Sequence, residues 1–376
     1  MLLDLPCSRR WIDAIAGPSV NGFPSAVTRS VPSRQLARHV PLHYSSFMNL
    51  VSEKFEPPNW LKNAHAMTIV SAFWPRRFDL PPPEERLFQV DPESRLLAHC
   101  HWQQGKRKDV PVIVIVHGLE GSSDSNYVRG IAEKAFTEGY HVVRMNQRNC
   151  GGSEALTPTL YNSGMSGDYR AVLEELANGD AFEQIFFAGY SMGGNLVTKM
   201  AGEFGDDVPK ALCGVCAVCP AIDLGACADA LERRDNYFYQ RRFVAGLMSR
   251  YARKVTLFPQ RYPQDGFRPI RTVREFDDEI TAPQFGYRDA QEYYEAVGAK
   301  KIVAQVRVPM LMITAKDDPF VTYESFLRAN VAQNPAIRFM APEYGGHCAF
   351  ISKYSGSERF WAEQRIVEFC ESHRGD

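Results

Sequence analysis

The chain has 376 residues, a formal net charge of −1, 45% hydrophobic and 23% charged residues. This balance argues against the basic face of a nucleic-acid-binding domain. No run of about 18 apolar residues occurs, so no transmembrane helix is expected. The opening MLLDLPCSRRWIDAIAG lacks the apolar core of a secretory signal. The nine cysteines are odd in number, and several lie in apolar runs. Free buried thiols in a reducing compartment fit them, which predicts a cytoplasmic protein without a disulfide framework.

Residues 1–47 carry Arg9, Arg10, Arg29, Arg34 and Arg38 among Ser and Pro, with no period. Three readings compete: a disordered tail, a start placed upstream of Met48, or an organelle transit segment, against which Asp4 and Asp13 count. The organised domain is expected over 48–376. Residues 86–102 read as one or two opening strands or a hairpin. The run Pro111–Val116 is a strand buried on both faces. Helix 126–138 ends at Gly139, strand 141–145 follows, and 168–177 is helical. Strand 185–188 leads into helix 194–204, and 211–220 is the next strand. Strand 309–314, a helix near 322–331, strand 337–340 and a final amphipathic helix 357–371 complete the chain. Such alternation predicts an α/β fold with a mostly parallel central sheet and helices on both faces. The interval of about 222–305 breaks the rhythm and is rich in aromatics (Tyr237, Phe238, Tyr239, Phe243, Tyr251). It is too long for a bare loop and predicts a mostly helical cap.

Gly189-Tyr190-Ser191-Met192-Gly193 matches G-x-S-x-G between a strand and a helix, the context that motif requires. Ser191 is therefore the candidate nucleophile. Its alcohol needs a base. His347, in Gly345-Gly346-His347-Cys348 after the last strand, is the histidine placed for it. The acid should follow the preceding strand in the order Ser, Asp, His. Asp318 is the choice there, with its neighbour Asp317 and the more distant Asp223 as alternatives. Asp223 is equally placed to cap the next helix. Two backbone N–H groups should face the oxyanion, from Met192 and from Leu119 in His117-Gly118-Leu119-Glu120-Gly121. His117 reads as structural.

Other features take plainer readings. Cys213, Cys216 and Cys219 have metal-like spacing, but on a strand that spacing sends adjacent members to opposite faces, so no zinc is expected. His99 and His101 share a strand face, read as solvated. Asn149-Cys150-Gly151-Gly152 lacks the lysine of a phosphate loop. It reads as a turn that brings the chain close to the active site.

Together these motifs resemble the YheT-like group of α/β hydrolases, with its EMB8-like and monoacylglycerol-lipase-like members. The matching stretches are Pro57 to His65, His117 to Ser123, Asn146 to Gly152, Gly189 to Asn195, Asp317-Asp318-Pro319 and Gly345-Gly346-His347. They run from about residue 55 to the C-terminus; relatives often have Gly at the Asn149 position. The resemblance implies the α/β-hydrolase fold and cleavage of small-molecule carboxylic esters or acylglycerols. It supports the triad Ser191, Asp318, His347 and implies neither cofactor nor metal. Acyl transfer by the same triad, and a non-catalytic binding protein on this fold, are the competing functions. Oligomeric state is not legible.

Overall fold

Val112–Val116 (β3) is wholly buried because both of its faces are covered. Val112, Val114 and Val116 point into one apolar cluster, Ile113 and Ile115 into the other. The computed structural model describes residues 54–105, 107–263 and 269–375, all within the unit Phe47–Asp376. The expectations for 1–47 lie outside the described residues. The remaining strands are β1 (Glu84–Asp91), β2 (Ser94–His101), β4 (His141–Met145), β5 (Ile185–Tyr190), β6 (Leu212–Val218), β7 (Met310–Ile313) and β8 (Ile337–Met340). They form one sheet in the order β1-β2-β4-β3-β5-β6-β7-β8. The opening pair is an antiparallel hairpin, and β2 is antiparallel to β4. All other pairs are parallel. The loops after β3, β5, β6, β7 and β8 therefore meet along one edge, where α/β sheets bind ligands.

Helices Asn126–Thr137 and Trp361–Ser372 supply one apolar cluster, with Val128, Ile131, Ile366 and Phe369. Helices Ser166–Glu174 and Met192–Phe204 supply the other, with Tyr169, Val172, Leu196 and Met200. Both faces are thus covered, as the alternation predicts. The chain folds as an α/β hydrolase. The helix expected near 322–331 is shorter, Tyr323–Arg328, because Asn330 turns into the left-handed region (φ 52°). The last helix begins at Trp361 rather than 357.

Between β6 and β7 the chain runs through helices Leu224–Leu231, Tyr237–Leu257 and Ala290–Val297, with short helical turns from Val273 to Gln284. Leu247, Tyr251, Tyr262 and Phe276 cluster there with Met192 and Cys150, so the insertion's own core rests on the sheet-edge loops. Phe238 faces outward and is 81% exposed. No described helix is long and apolar enough to cross a membrane.

Two expectations change. Cys213 and Cys216 both pack into the Ile113–Phe186 cluster, on the same face. The cause is a register shift where Leu212 and Gly214 face Ile185 and Phe186, an extra residue that resets the alternation. The His99–His101 face is not solvated: His101 is buried and accepts the Arg144 Nε–H at 3.1 Å, while His99 meets Ser123 Oγ at 2.9 Å. Burial pushes His101 down to about 4, so it stays neutral beside Arg144. An unanticipated helix, Ala64–Phe73, is capped by Asn63, whose side-chain oxygen accepts the Ala66 N–H at 3.0 Å.

Candidate active site

Ser191 occupies a turn of φ 54° and ψ −117°, between β5 and helix Met192–Phe204. A side chain at such angles is strained, and the surroundings hold it there. The Ser191 N–H donates to Val218 O at 2.9 Å, and the Ser191 carbonyl accepts the N–H of Asn195 at 3.0 Å and of Ala221 at 3.2 Å. The flanking glycines are steric requirements. A Cβ on Gly189 would overlap the Gly193 carbonyl, and one on Gly193 would overlap the carbonyls of His117 and Val116. Those oxygens belong to backbone that β3 fixes. Gly193→Ala is expected to cost about 1–3 kcal/mol of stability, read as a lower urea midpoint at unchanged slope.

His347 lies in the loop after β8, its main-chain N–H donating to Thr68 Oγ1 at 2.8 Å. Its Nδ1 is 2.8 Å from Asp318 Oδ2. The other Asp318 oxygen accepts the N–H groups of Phe320 (3.1 Å) and Val321 (2.9 Å). A carboxylate so engaged is an acceptor, so Nδ1 carries a proton, and Nε2 is the nitrogen that offers a lone pair once the imidazole is neutral. Burial opposes a charged imidazole, but the Asp318 carboxylate and the Cys348 thiolate outweigh it and push His347 up to about 10. The Nε2 atom is 3.5 Å from Cys348 Sγ. No hydrogen bond joins Nε2 to Ser191 Oγ among the described residues.

Asp317 and Asp223 take other roles. Asp317 accepts the Gly346 N–H at 2.9 Å, and burial pushes its carboxyl up. Asp223 caps helix Leu224–Leu231 through the Ala226 N–H and pairs with Lys300 at 3.0 Å. His117 is fully buried; its Nδ1–H donates to Gly118 O at 2.7 Å and its Nε2 accepts the Gln147 N–H at 3.1 Å. With both nitrogens used and burial holding it near 4, it is a neutral brace.

The Leu119 loop is held by contacts that motif reading did not find. The Gly118 N–H donates to Tyr127 OH at 2.8 Å, and the Tyr127 ring stacks on Tyr190, 4.5 Å away. Glu120, at φ 59°, accepts from Arg250 Nε at 2.8 Å and from Tyr161 OH at 2.7 Å. Arg250 also donates to the Asn149 carbonyl. One guanidinium from the long insertion helix thus ties together the two glycine-containing loops. Among the described residues, the N–H groups of Leu119 and Met192 have no backbone acceptor outside their own elements. The side-chain signal for this network, one arginine inside a helix rich in arginines, does not stand out in the sequence.

Two cavities meet at Ser191. An apolar one runs beneath the insertion, past Met192, Leu224, Leu247 and Phe276. The other, a wider groove, contains Ser191, His347 and Cys348 and is also lined by Phe73 and Phe238. Leu119, Phe243 and Phe320 line both.

The sequence pattern of the alpha/beta hydrolase fold matches residues 111–354. The chain belongs to the α/β-hydrolase family. It is 30% identical over 326 residues to YheT of Escherichia coli, spanning 86% of this chain and 94% of that protein. It is 26% identical over 340 residues to medium-chain fatty acid ethyl ester synthase/esterase 2 of Saccharomyces cerevisiae, covering 83% and 74%. Among solved structures it is similar to the esterase Pf2001 of Pyrococcus furiosus, with a TM-score of 0.51 at 16% identity over 80% of this chain and 99% of that one. That last likeness concerns the fold. Within the α/β hydrolases, the relationship to the YheT and EMB8-like branch is distant and consistent. Family and relatives point to an enzyme of the esterase and lipase type.

Proposed function

We propose that this α/β hydrolase is a serine esterase of the YheT-like group, cleaving carboxylic esters through an acyl-enzyme on Ser191. His347 is the base, Asp318 orients it, and the N–H groups of Met192 and Leu119 receive the oxyanion. The observation that carries the reading is the placement of Ser191 where an apolar cavity joins the groove that holds the His347–Asp318 pair. The apolar cavity suits the acyl chain, and the groove suits the departing alcohol. Ser191 Oγ attacks the carbonyl carbon as its proton passes to Nε2. The tetrahedral intermediate collapses, and the proton goes to the alcohol. Water repeats the sequence to release the acid. Attack requires Nε2 to leave Cys348 and meet Oγ while Nδ1 stays on Asp318. Such contacts commonly tighten only with substrate bound. The free thiols fit a reducing, cytoplasmic setting.

A second reading, acyl transfer to an alcohol, is favoured by the yeast relative, whose name joins synthase and esterase. The test is a panel of p-nitrophenyl esters and monoacylglycerols, with and without a short alcohol. Hydrolysis that depends on Ser191, with free acid as the main product, supports the esterase. New ester as the main product selects the transferase. If no member of the panel turns over, or wild type and Ser191→Ala act alike, both readings fall.

A further inference from the structure

At the wall of the groove two cysteines that ester cleavage does not use stand beside His347. Cys219, at the end of β6, and Cys348, beside His347, both sit in left-handed backbone (φ 44° and 61°). The Cys348 N–H points at Cys219 Sγ, 3.4 Å away. A ring nitrogen of His347 and the two sulfurs all lie within 4.8 Å of one another. Zinc–sulfur bonds of about 2.3 Å and zinc–nitrogen bonds of about 2.0 Å, at tetrahedral angles, set nitrogen and sulfur about 3.5 Å apart and two sulfurs about 3.8 Å apart. The observed Nε2–Sγ separation is 3.5 Å. The imidazole is already oriented as a metal ligand should be, with Nδ1–H on a carboxylate and Nε2 turned toward Cys348 Sγ.

We propose that Cys219, Cys348 and His347 form a site for a soft divalent cation of the Zn²⁺ type, whose occupation shuts the hydrolase off. Two thiolates and an imidazole select zinc over magnesium or calcium, which prefer oxygen. Binding releases one proton from Cys219 and the one that Cys348 and His347 share, which leaves two thiolates and the Nε2 lone pair for the cation. His347 and Cys348 line the groove shared with Ser191, so a cation held by them would sit at its wall. The three-cysteine strand run does not form this site: Cys213 and Cys216 lie away from it, and only Cys219 takes part. The inhibitory half of the proposal rests on the serine-hydrolase reading; the binding half does not.

The test uses the full chain, reduced and stripped with a chelator, then titrated with Zn²⁺ or Co²⁺. Binding is read from the sulfur-to-cobalt charge-transfer absorption and from competition with a chromophoric chelator. Inhibition is read from labelling of Ser191 by a fluorophosphonate, each protein against its own metal-free control. Wild type should bind one equivalent tightly, and labelling should fall at least about tenfold and return with chelator rather than with reductant. Cys219→Ala and Cys348→Ala should each bind about 100-fold more weakly or worse. Cys348→Ser guards against misfolding of the alanine variants. Absence of the cobalt band, equal affinity in the cysteine variants, or full labelling with metal bound overturns the proposal. A chain that never labels, even without metal, overturns the serine reading and the inhibitory half with it, while the cobalt band still decides the site.

Discussion

Ser191→Ala should lower kcat by about 10⁶-fold on any ester the wild type cleaves, leaving the residual rate that binding and the oxyanion donors supply. KM should stay within a few-fold, because Oγ contributes little to ground-state binding while the apolar cavity is intact. Fluorophosphonate labelling should vanish. Stability should barely move, since alanine at φ 54° is about as strained as serine. The backbone supplies a sharper companion measurement. Angles of φ 54° and ψ −117° are those glycine adopts without cost at the first central position of a type II′ turn. Ser191→Gly should therefore be equally inactive yet more stable by about 1 kcal/mol, raising Tm by about 2–4 °C. A gain in stability with loss of chemistry is the signature of strain kept for function. If Ser191→Ala retains wild-type turnover, the nucleophile is elsewhere.

Much of this framework was legible because local patterns and global packing agree. The run at β3 is β-branched throughout because nothing polar is tolerated on either face, and its limits are readable to one residue. The elbow is legible because Gly189 and Gly193 are dictated by overlap with neighbouring carbonyls. The parts that escaped depend on long-range contacts with no spacing of their own. Helix Ala64–Phe73 has few buried residues, only Met67 among them fully so, and hence a weak period. Its Thr68 nevertheless holds the His347 main chain from 279 positions away. Arg250 looks like any surface arginine until the fold sets it against Glu120. The alternation argument for the cysteines failed because a bulge, created by pairing with β5, cannot be seen in β6 alone.

Asp318→Asn should reduce kcat by about 10⁴-fold, with the chain still folded. The amide oxygen can accept the Phe320 and Val321 N–H groups as Oδ1 does now, so these donors stay satisfied. The amide nitrogen would then face His347 Nδ1. A donor there forces Nδ1 to accept, which places the ring proton on Nε2, and Nε2 can no longer take the Ser191 proton. A second effect is separable by pH. The Asp318 carboxylate is one of the groups that push His347 up to about 10. A base works only when neutral, so kcat/KM of the wild type should rise with pH as His347 deprotonates. Without the carboxylate the imidazole loses its proton more readily, and the rising limb should move to lower pH although its plateau is far below wild type. Asp317→Asn is the control. Its side chain accepts the Gly346 N–H, which an amide oxygen can also do, and it does not touch the imidazole. That variant should keep its rate within about tenfold and its limb unmoved. If the large loss and the displaced limb follow Asp317→Asn instead, the acid behind the histidine is Asp317, and the orientation drawn for His347 is wrong.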